Sequence, residues 1–404
     1  MKHNLKRTAA FILSAIMLAS CVGAGGCGES ATQSAPAVSD SQIAAVSPAD
    51  TEVVYENVPE EYRDLFHGGS FDEAGIWTTD DESYAELIEK LREKCDMHFD
   101  GSVMVATDDK VIFSGGWDAM EIDGVTPVNP FTTYEIGSVT KQFCAAAILR
   151  QVQAGNIDVN TTIDKYFPDY PHGNRITVEN LLHMSSGIPE MLEGKFHEGG
   201  DYRKNEAFMQ GTMTDGEILD KLYGFGLDFE PGSRFTYSNT NYWLLALILE
   251  QVTGQSYEEY LQQNIFDVCD MPRSSACATG DVTSVPKLGY DYMYTAHCSR
   301  GSGDIHSNVC DMLRWDRALF DGKIINDEQF AYMTSLRGGY SCGWMKDPID
   351  ALCHSGSTWA YVSYNCVFKN ADGENVYVIL LTSNRGSAAM GIRGVLETVD
   401  KILP

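Results

Sequence analysis

Ile136-Gly137-Ser138-Val139-Thr140-Lys141-Gln142-Phe143 is the stretch on which the fold and chemistry of this chain turn. A serine stands three residues before a lysine, and an apolar run from Phe143 to Leu149 follows at once. Read as the start of a helix, it puts Ser138 in the first turn and Lys141 one turn on, on the same face. A serine hydroxyl is a poor nucleophile until a base takes its proton. A lysine amine can do so once burial or a second cation lowers its pKa. The helix N-terminus adds partial positive charge and free N–H groups beside a forming alkoxide. Gly137 leaves room for a substrate to approach that backbone. An N-cap serine beside a solvated lysine is the plainer alternative, and Ser-x-x-Lys alone does not choose between them.

Working outward, residues 101–107 and 110–116 flank Asp108-Asp109 and predict a β-hairpin. Before it, Tyr84, Leu87, Ile88 and Leu91 form one helical face over residues 83–95. Residues 51–80 yield no assignment. After Ser138 the helix runs to about Ala154 and stops at Gly155-Asn156. From there to about Gly322 the pattern is mainly helical, with long loops. It includes a short helix within 177–187, a polar, glycine-dotted stretch at 193–211 that reads as a mobile loop, an apolar helix over 242–252 ended by Gly254, and a helix over 309–319. Strands return at 340–345, 352–354, 361–368 and 375–381, and a helix at 391–402 closes the chain. This order predicts an α/β (α+β) fold, an antiparallel sheet flanked by helices. The sheet part takes in about 83–137 and 335–404, and a mainly helical part, about 138–334, is inserted between them.

Two further segments can meet Ser138 and Lys141. Tyr237-Ser238-Asn239 follows a tight turn and precedes the apolar helix, which suits a rigidly held loop. A phenol acts as a base only beside cations, which Lys141 could supply, and the Asn239 amide could orient Lys141 or a substrate carbonyl. His354-Ser355-Gly356-Ser357 ends one strand and leads to the next. A glycine there lets substrate backbone lie alongside, and the following N–H can face an oxyanion. His354 could carry a proton or present a cation to a substrate carboxylate. Each segment also has a structural reading, as a capped turn and as a partly buried strand-end histidine.

Taken together, Ser138-Val139-Thr140-Lys141, Tyr237-Ser238-Asn239 and His354-Ser355-Gly356 resemble, in order and rough spacing, the motifs of class C β-lactamases and related penicillin-recognising serine hydrolases. The resemblance covers about residues 99–404. It implies a β-lactamase/transpeptidase-like fold with the site between sheet and helices, and acyl transfer through a covalent acyl-enzyme. Ser138 would be the nucleophile, and Lys141 and Tyr237 would handle its proton and that of the leaving group. Asn239 would orient, with His354, Ser355, Gly356 and Ser357 beside the substrate, and the N–H groups of Ser138 and Ser357 forming the oxyanion hole. The β-lactamases usually carry lysine where His354 stands. Histidine is more like some D-Ala-D-Ala carboxypeptidases and esterases of the group. Glu179 lies outside the segment that carries the deacylating glutamate of class A β-lactamases, and receives no such role.

The expected activity is therefore that of an exported serine hydrolase, a D-Ala-D-Ala carboxypeptidase or a related peptidase or esterase. The alternatives are a β-lactamase or broad-specificity esterase, and a non-turning protein that binds penicillin or cell-wall peptides. A small-molecule or peptide substrate with an acyl bond is the expected partner, and no cofactor is expected. The intact Ser138, Lys141 and Tyr237 favour an enzyme, since a pure binder has no need of all three.

The flanks and the composition bound the setting. The 404 residues carry a formal net charge of −28, and losing Lys2, Lys6 and Arg7 with a leader takes it to −31. So acidic a surface argues against nucleic acid and anionic headgroups as partners. A basic start, an apolar run too short to span a membrane, and Leu18-Ala19-Ser20-Cys21 read as a lipoprotein-type signal over 1–20. Cys21 is the favoured lipidation site, Cys27 the second candidate, and an ordinary secretory signal the alternative. Residues 21–60 then read as a flexible tether and 61–404 as the hydrolase domain, held to the membrane by lipid alone. The nine other cysteines read mostly as small core residues. Cys298, His306 and Cys310 match no metal-ligand spacing, so no metal is expected.

Overall fold

The computed structural model describes residues 58–117, 128–192, 194–200, 205–209, 211–276, 296–346, 351–358, 361–382 and 385–403. The leader, most of the tether, Cys21, Cys27 and Cys277 lie outside these residues.

In chain order the elements that matter are β1 (Gly69–Phe71), β2 (Trp77–Thr79), α1 (Ala85–His98), β3 (Gly101–Thr107), β4 (Val111–Trp117) and β5 (Tyr134–Glu135). Then come α2 (Thr140–Gln153), α3 (Val178–Leu182), α4 (Asn239–Thr253), β6 (His306–Ser307) and α5 (Val309–Phe320). The last are β7 (Met345–Lys346), β8 (Leu352–Ser357), β9 (Val362–Lys369), β10 (Asn375–Thr382) and α6 (Arg385–Ile402). Eight strands form one antiparallel sheet in the order β1-β2-β4-β3-β10-β9-β8-β7. The first and last parts of the chain thus complete one sheet, as the strand–helix–strand order predicts. At the seam between them, Met104 of β3 stands opposite Ile379 of β10.

Period-two alternation sends each strand's side chains to two different cores. Val103, Val105, Val376, Val378 and Leu380 face one side, where Leu87, Leu91 and Cys95 of α1 and Ile392, Val395 and Val399 of α6 cover them. Met104, Ala106, Tyr377, Ile379 and Leu381 face the other and join the core of the helical part. These two strands read as continuous apolar runs because both faces are covered. On the second face α5 packs on β3 and β10, and α2 packs on α4. The α5 start is set by Asn308, whose side chain accepts from the N–H groups of Cys310 and Asp311 at 2.9 Å each. The α4 end is set by Gly254 in the left-handed conformation.

Two expectations need correction. The sheet begins at Gly69, earlier than about 83, because β1 and β2 add an edge to β4. They are three residues each, too short for alternation to show in sequence. Residues 340–345 do not form a strand; only Met345–Lys346 does. Gly338, Gly339 and Gly343 take positive φ and fold this stretch into turns, with Arg337 bridged to Tyr340 and Ser341 to Trp344. Within 193–211, read as a mobile loop, the described residues include the short helical turns Gly194–Phe196, Glu198–Gly200 and Glu206–Met209. The eight described cysteines are all buried, as small core residues should be.

Candidate active site

The serine turn is built by its neighbours on both sides. Tyr134 and Glu135 of β5 pair with Ser307 and His306 of β6, and the Ile136 N–H donates to the Ile305 carbonyl at 2.9 Å. Gly137 then turns the chain with φ +51°, and residues 137–139 make one 3₁₀ turn that runs into α2. Ser138 lies in that turn, partly exposed, while Lys141 is buried in the first turn of α2.

The Lys141 ammonium has three acceptors. Its Nζ donates to Ser138 Oγ at 3.0 Å, Asn239 Oδ1 at 2.8 Å and the Ser302 carbonyl at 2.6 Å. Nζ also lies 4.9 Å from the centre of the Tyr237 ring and 5.9 Å from that of Tyr242. Burial pulls its pKa down to about 7, against the opposing pull first of Glu190, then of Cys144 and Asp304. An amine that is close to half deprotonated at neutral pH, 3.0 Å from a hydroxyl, can take that hydroxyl's proton. Tyr237 and Asn239 reach the same point because Ser238 caps α4 and Asn239 is its first residue.

The third segment enters from the sheet. Gly356 of β8 packs against the serine turn so closely that a Cβ there would stand 2.0 Å from the Ile136 carbonyl and 2.3 Å from Ser363 Oγ. A Cβ on Gly137 would stand 2.8 Å from the Ser357 nitrogen. Both glycines are required by this close approach of two backbones. The Ser363 hydroxyl adds a 2.6 Å bond to the Ile136 carbonyl. The Ser357 N–H is thereby held beside the turn that carries Ser138, the place where two backbone donors could share one oxyanion. Ser355 is partly buried and Ser357 exposed.

His354 differs from one expectation. Burial disfavours the cation it would need to meet a carboxylate. The ring is buried, with Nε2 2.9 Å from the Tyr340 hydroxyl and Nδ1 2.7 Å from the Ser355 carbonyl. A carbonyl can only accept, so Nδ1 carries the proton and Nε2 accepts from Tyr340 in the neutral ring. Burial, and then the Lys141 charge, hold its pKa down to about 3. Its ring centre is 6.2 Å from that of Tyr237, so it remains a wall of the site.

Sequence reasoning missed three participants. Ser302 supplies a carbonyl to Lys141, and no side-chain pattern reports a carbonyl. Tyr340 meets the other His354 nitrogen from a segment misread as a strand. Glu190 is a carboxylate alone in an apolar run, Ile188-Pro189-Glu190-Met191-Leu192, and that isolation was the available signal. Its Oε2 accepts from the Asn239 N–H at 2.5 Å and its Oε1 from the Leu192 N–H at 2.7 Å. Glu179 is engaged elsewhere, by Arg337 and the Tyr332 hydroxyl. Cys298, His306 and Cys310 do not converge: Cys298 donates to the Phe208 carbonyl, Cys310 to that of Pro130, and His306 faces Glu135 at 3.7 Å.

Comparison with known proteins matches this arrangement to a family. The sequence pattern described as Beta-lactamase matches residues 87–397. Over 304 residues the chain is 27% identical to "Putative penicillin-binding protein PbpX" of Bacillus subtilis (strain 168), covering 72% of this chain and 73% of that protein. It is 26% identical over 263 residues to "Penicillin-binding protein 4*" of the same strain, covering 59% of this chain and 56% of that protein. Among solved structures, D-amino acid amidase from Ochrobactrum anthropi SV3 complexed with L-phenylalanine superposes with a TM-score of 0.64 at 19% identity, covering 79% of this chain and 99% of that one. A penicillin binding protein from Bacillus halodurans gives 0.63 at 19%, covering 76% and 99%. At such identities the structural likeness speaks for the fold.

Proposed function

Because the chain belongs to the Beta-lactamase family of serine hydrolases acting by acyl transfer, we propose that Ser138 forms an acyl-enzyme with an amide, peptide or ester donor that need not end in a carboxylate. Lys141 receives the Ser138 proton as the hydroxyl attacks the carbonyl. The Ser138 and Ser357 N–H groups hold the oxyanion, Tyr237 and Lys141 return a proton to the leaving group, and water then attacks the acyl-enzyme with the roles reversed. Asn239 keeps Lys141 aimed through its 2.8 Å bond. Among the family's activities this favours a D-aminoacyl amidase, peptidase or esterase over a strict D-Ala-D-Ala carboxypeptidase.

One observation carries that preference. A carboxypeptidase must receive a terminal carboxylate, and His354, in the place where β-lactamases carry a lysine, is neutral with both ring nitrogens engaged. The charges felt at Lys141 include Glu190 and Asp304, which would repel an anion. A panel of D-alanyl p-nitroanilides, D-aminoacyl amides, p-nitrophenyl esters, D-Ala-D-Ala peptides, penicillins and a chromogenic cephalosporin tests it. Neutral amides and esters should exceed peptides with a free terminal carboxylate by about tenfold in kcat/KM, about 1.4 kcal/mol, the order of one partly desolvated ion pair. Faster turnover of the free-carboxylate peptides would reverse the preference.

We further propose that the protein is exported and lipid-anchored through Cys21 or Cys27. The support is the order of basic start, short apolar run and Leu18-Ala19-Ser20-Cys21. The mature protein should sediment with membranes and carry a diacylglyceryl modification on its first residue by mass spectrometry. A released protein with an unmodified N-terminus beyond Cys27 would leave only ordinary secretion.

A further inference from the structure

Glu190 is a partly buried carboxylate that the acyl-transfer chemistry does not itself consume. It follows the short helix α3, on the loop opposite the N-terminus of α4, and both its oxygens are taken by backbone donors. One donor is Asn239, whose side chain accepts from Lys141. The next residue, Thr240, ties the same two segments together, its hydroxyl donating to the Pro189 carbonyl at 2.7 Å and accepting from the Met191 N–H at 2.8 Å. Three side-chain bonds therefore lock residues 189–192 to the start of α4, which carries the Tyr237-Ser238-Asn239 segment. Two of them involve a hydroxyl, and one spends a charge, although a neutral group could have made the contact. The charge needs an explanation. Lys141 is the buried amine to which Asn239 links it, and Glu190 is the first of the acidic groups that act on it; burial raises the Glu190 pKa, while the Leu192 and Asn239 N–H groups and then Lys141 favour its charged form.

We propose that Glu190 is a positioning residue for the acid–base pair: through the Asn239 N–H it fixes the Tyr237-Ser238-Asn239 segment, and its negative charge sets the proton balance of Lys141. The inference rests on the acyl-transfer reading of Ser138 and Lys141. The groups facing Lys141 are Ser138 on the preceding turn and Cys144 on its own helix, Tyr237, Asn239 and Tyr242 from α4 and its lead-in, Ser302 and Asp304 before β6, His354 on β8, and Glu190. Desolvation favours the neutral amine and the Glu190 charge favours the ammonium. Removing that charge moves the balance towards the amine.

The test is the rate of covalent labelling by a fluorophosphonate against pH, which needs no knowledge of the natural substrate. Wild type should show a rate that rises with pH through about 7, as Lys141 loses its proton. In Glu190→Gln the rising limb should move to lower pH by about one unit, a tenfold change in the Lys141 proton affinity, while the plateau rate falls. Glu190→Asp keeps the charge and shortens the reach, so its plateau should fall with the limb unmoved. A lowered plateau with the wild-type limb in Glu190→Gln would mean that the residue only braces the loop, and would overturn the charge role. If Glu190→Gln fails to fold by circular dichroism, the Glu190→Asp limb decides, since a downward shift there contradicts the inference. Absence of labelling in wild type would fail the acyl-transfer reading itself, a result distinct from an unmoved limb.

Discussion

Ser138→Ala should remove covalent capture of a fluorophosphonate or a fluorescent penicillin altogether and lower hydrolysis by about 10⁶-fold, the scale seen when the nucleophile of a serine hydrolase is deleted. The loss is so large because the turn offers no substitute. Ser138 is the hydroxyl to which Lys141 Nζ is bonded at 3.0 Å, and it directly follows Gly137, which packs against the Ser357 nitrogen. Ser355 and Ser357 lie on β8, a different element from the serine turn. The fold should survive, since the serine is partly exposed and makes no capping bond. Intact-mass measurement after incubation with the phosphonate gives the result directly. An adduct on the alanine variant, or a wild-type adduct on another residue, would end the mechanism.

The second large effect belongs to the proton chain. Lys141→Ala and Tyr237→Phe should each lower kcat by about 10²–10⁴-fold, the usual worth of a positioned acid or base. The double variant should lose far less than the product of the two, because groups that pass one proton act as a unit. The pH profile supplies an independent sign. Lys141 has its pKa pulled down to about 7, so it is protonated and inactive as a base below that pH and competent above it. Wild-type kcat/KM should therefore rise through about pH 7, and the limb should vanish in Lys141→Ala. His354 contributes no second limb at mildly acid pH, because its pKa is held down to about 3. Fully multiplicative losses, or a limb that persists without Lys141, would assign the proton to another group.

How far the molecule could be read from its sequence depends on the distance over which each feature is decided. The 101–116 hairpin and the α2 and α4 helices were legible because alternation, capping and a terminal glycine act within a few residues. The meeting of Ser138, Lys141, Tyr237 and Asn239 was legible only through the resemblance, since nothing local says that residues 98 apart share a bond. The state of His354 was not legible. Its charge is decided by burial and by the Lys141 charge, and its Nε2 partner, Tyr340, comes from 14 residues away in a stretch that aromatic composition dressed as a strand. Glu190 went unread because its main partner lies 49 residues on and is a backbone N–H, which any residue type could have supplied. The edge strands β1 and β2 went unread because three residues carry no period.

The seam between β3 and β10 has a consequence for how the chain acquires its shape. Tyr377 hydrogen-bonds Asp108 across 269 residues of intervening chain, and every pairing along that seam is as remote. A contact of such high order forms late, since the chain must first give up the entropy of a very long loop. Until the last strands arrive, the inner edge of β3 is a row of unpaired N–H and C=O groups on an apolar ribbon, a template for any other extended chain. Assembly therefore cannot proceed piecemeal along the chain: α2 and its loops can gather early, but the surface on which they rest is finished only when residues 375–382 arrive. The newborn chain is adhesive for as long as that takes.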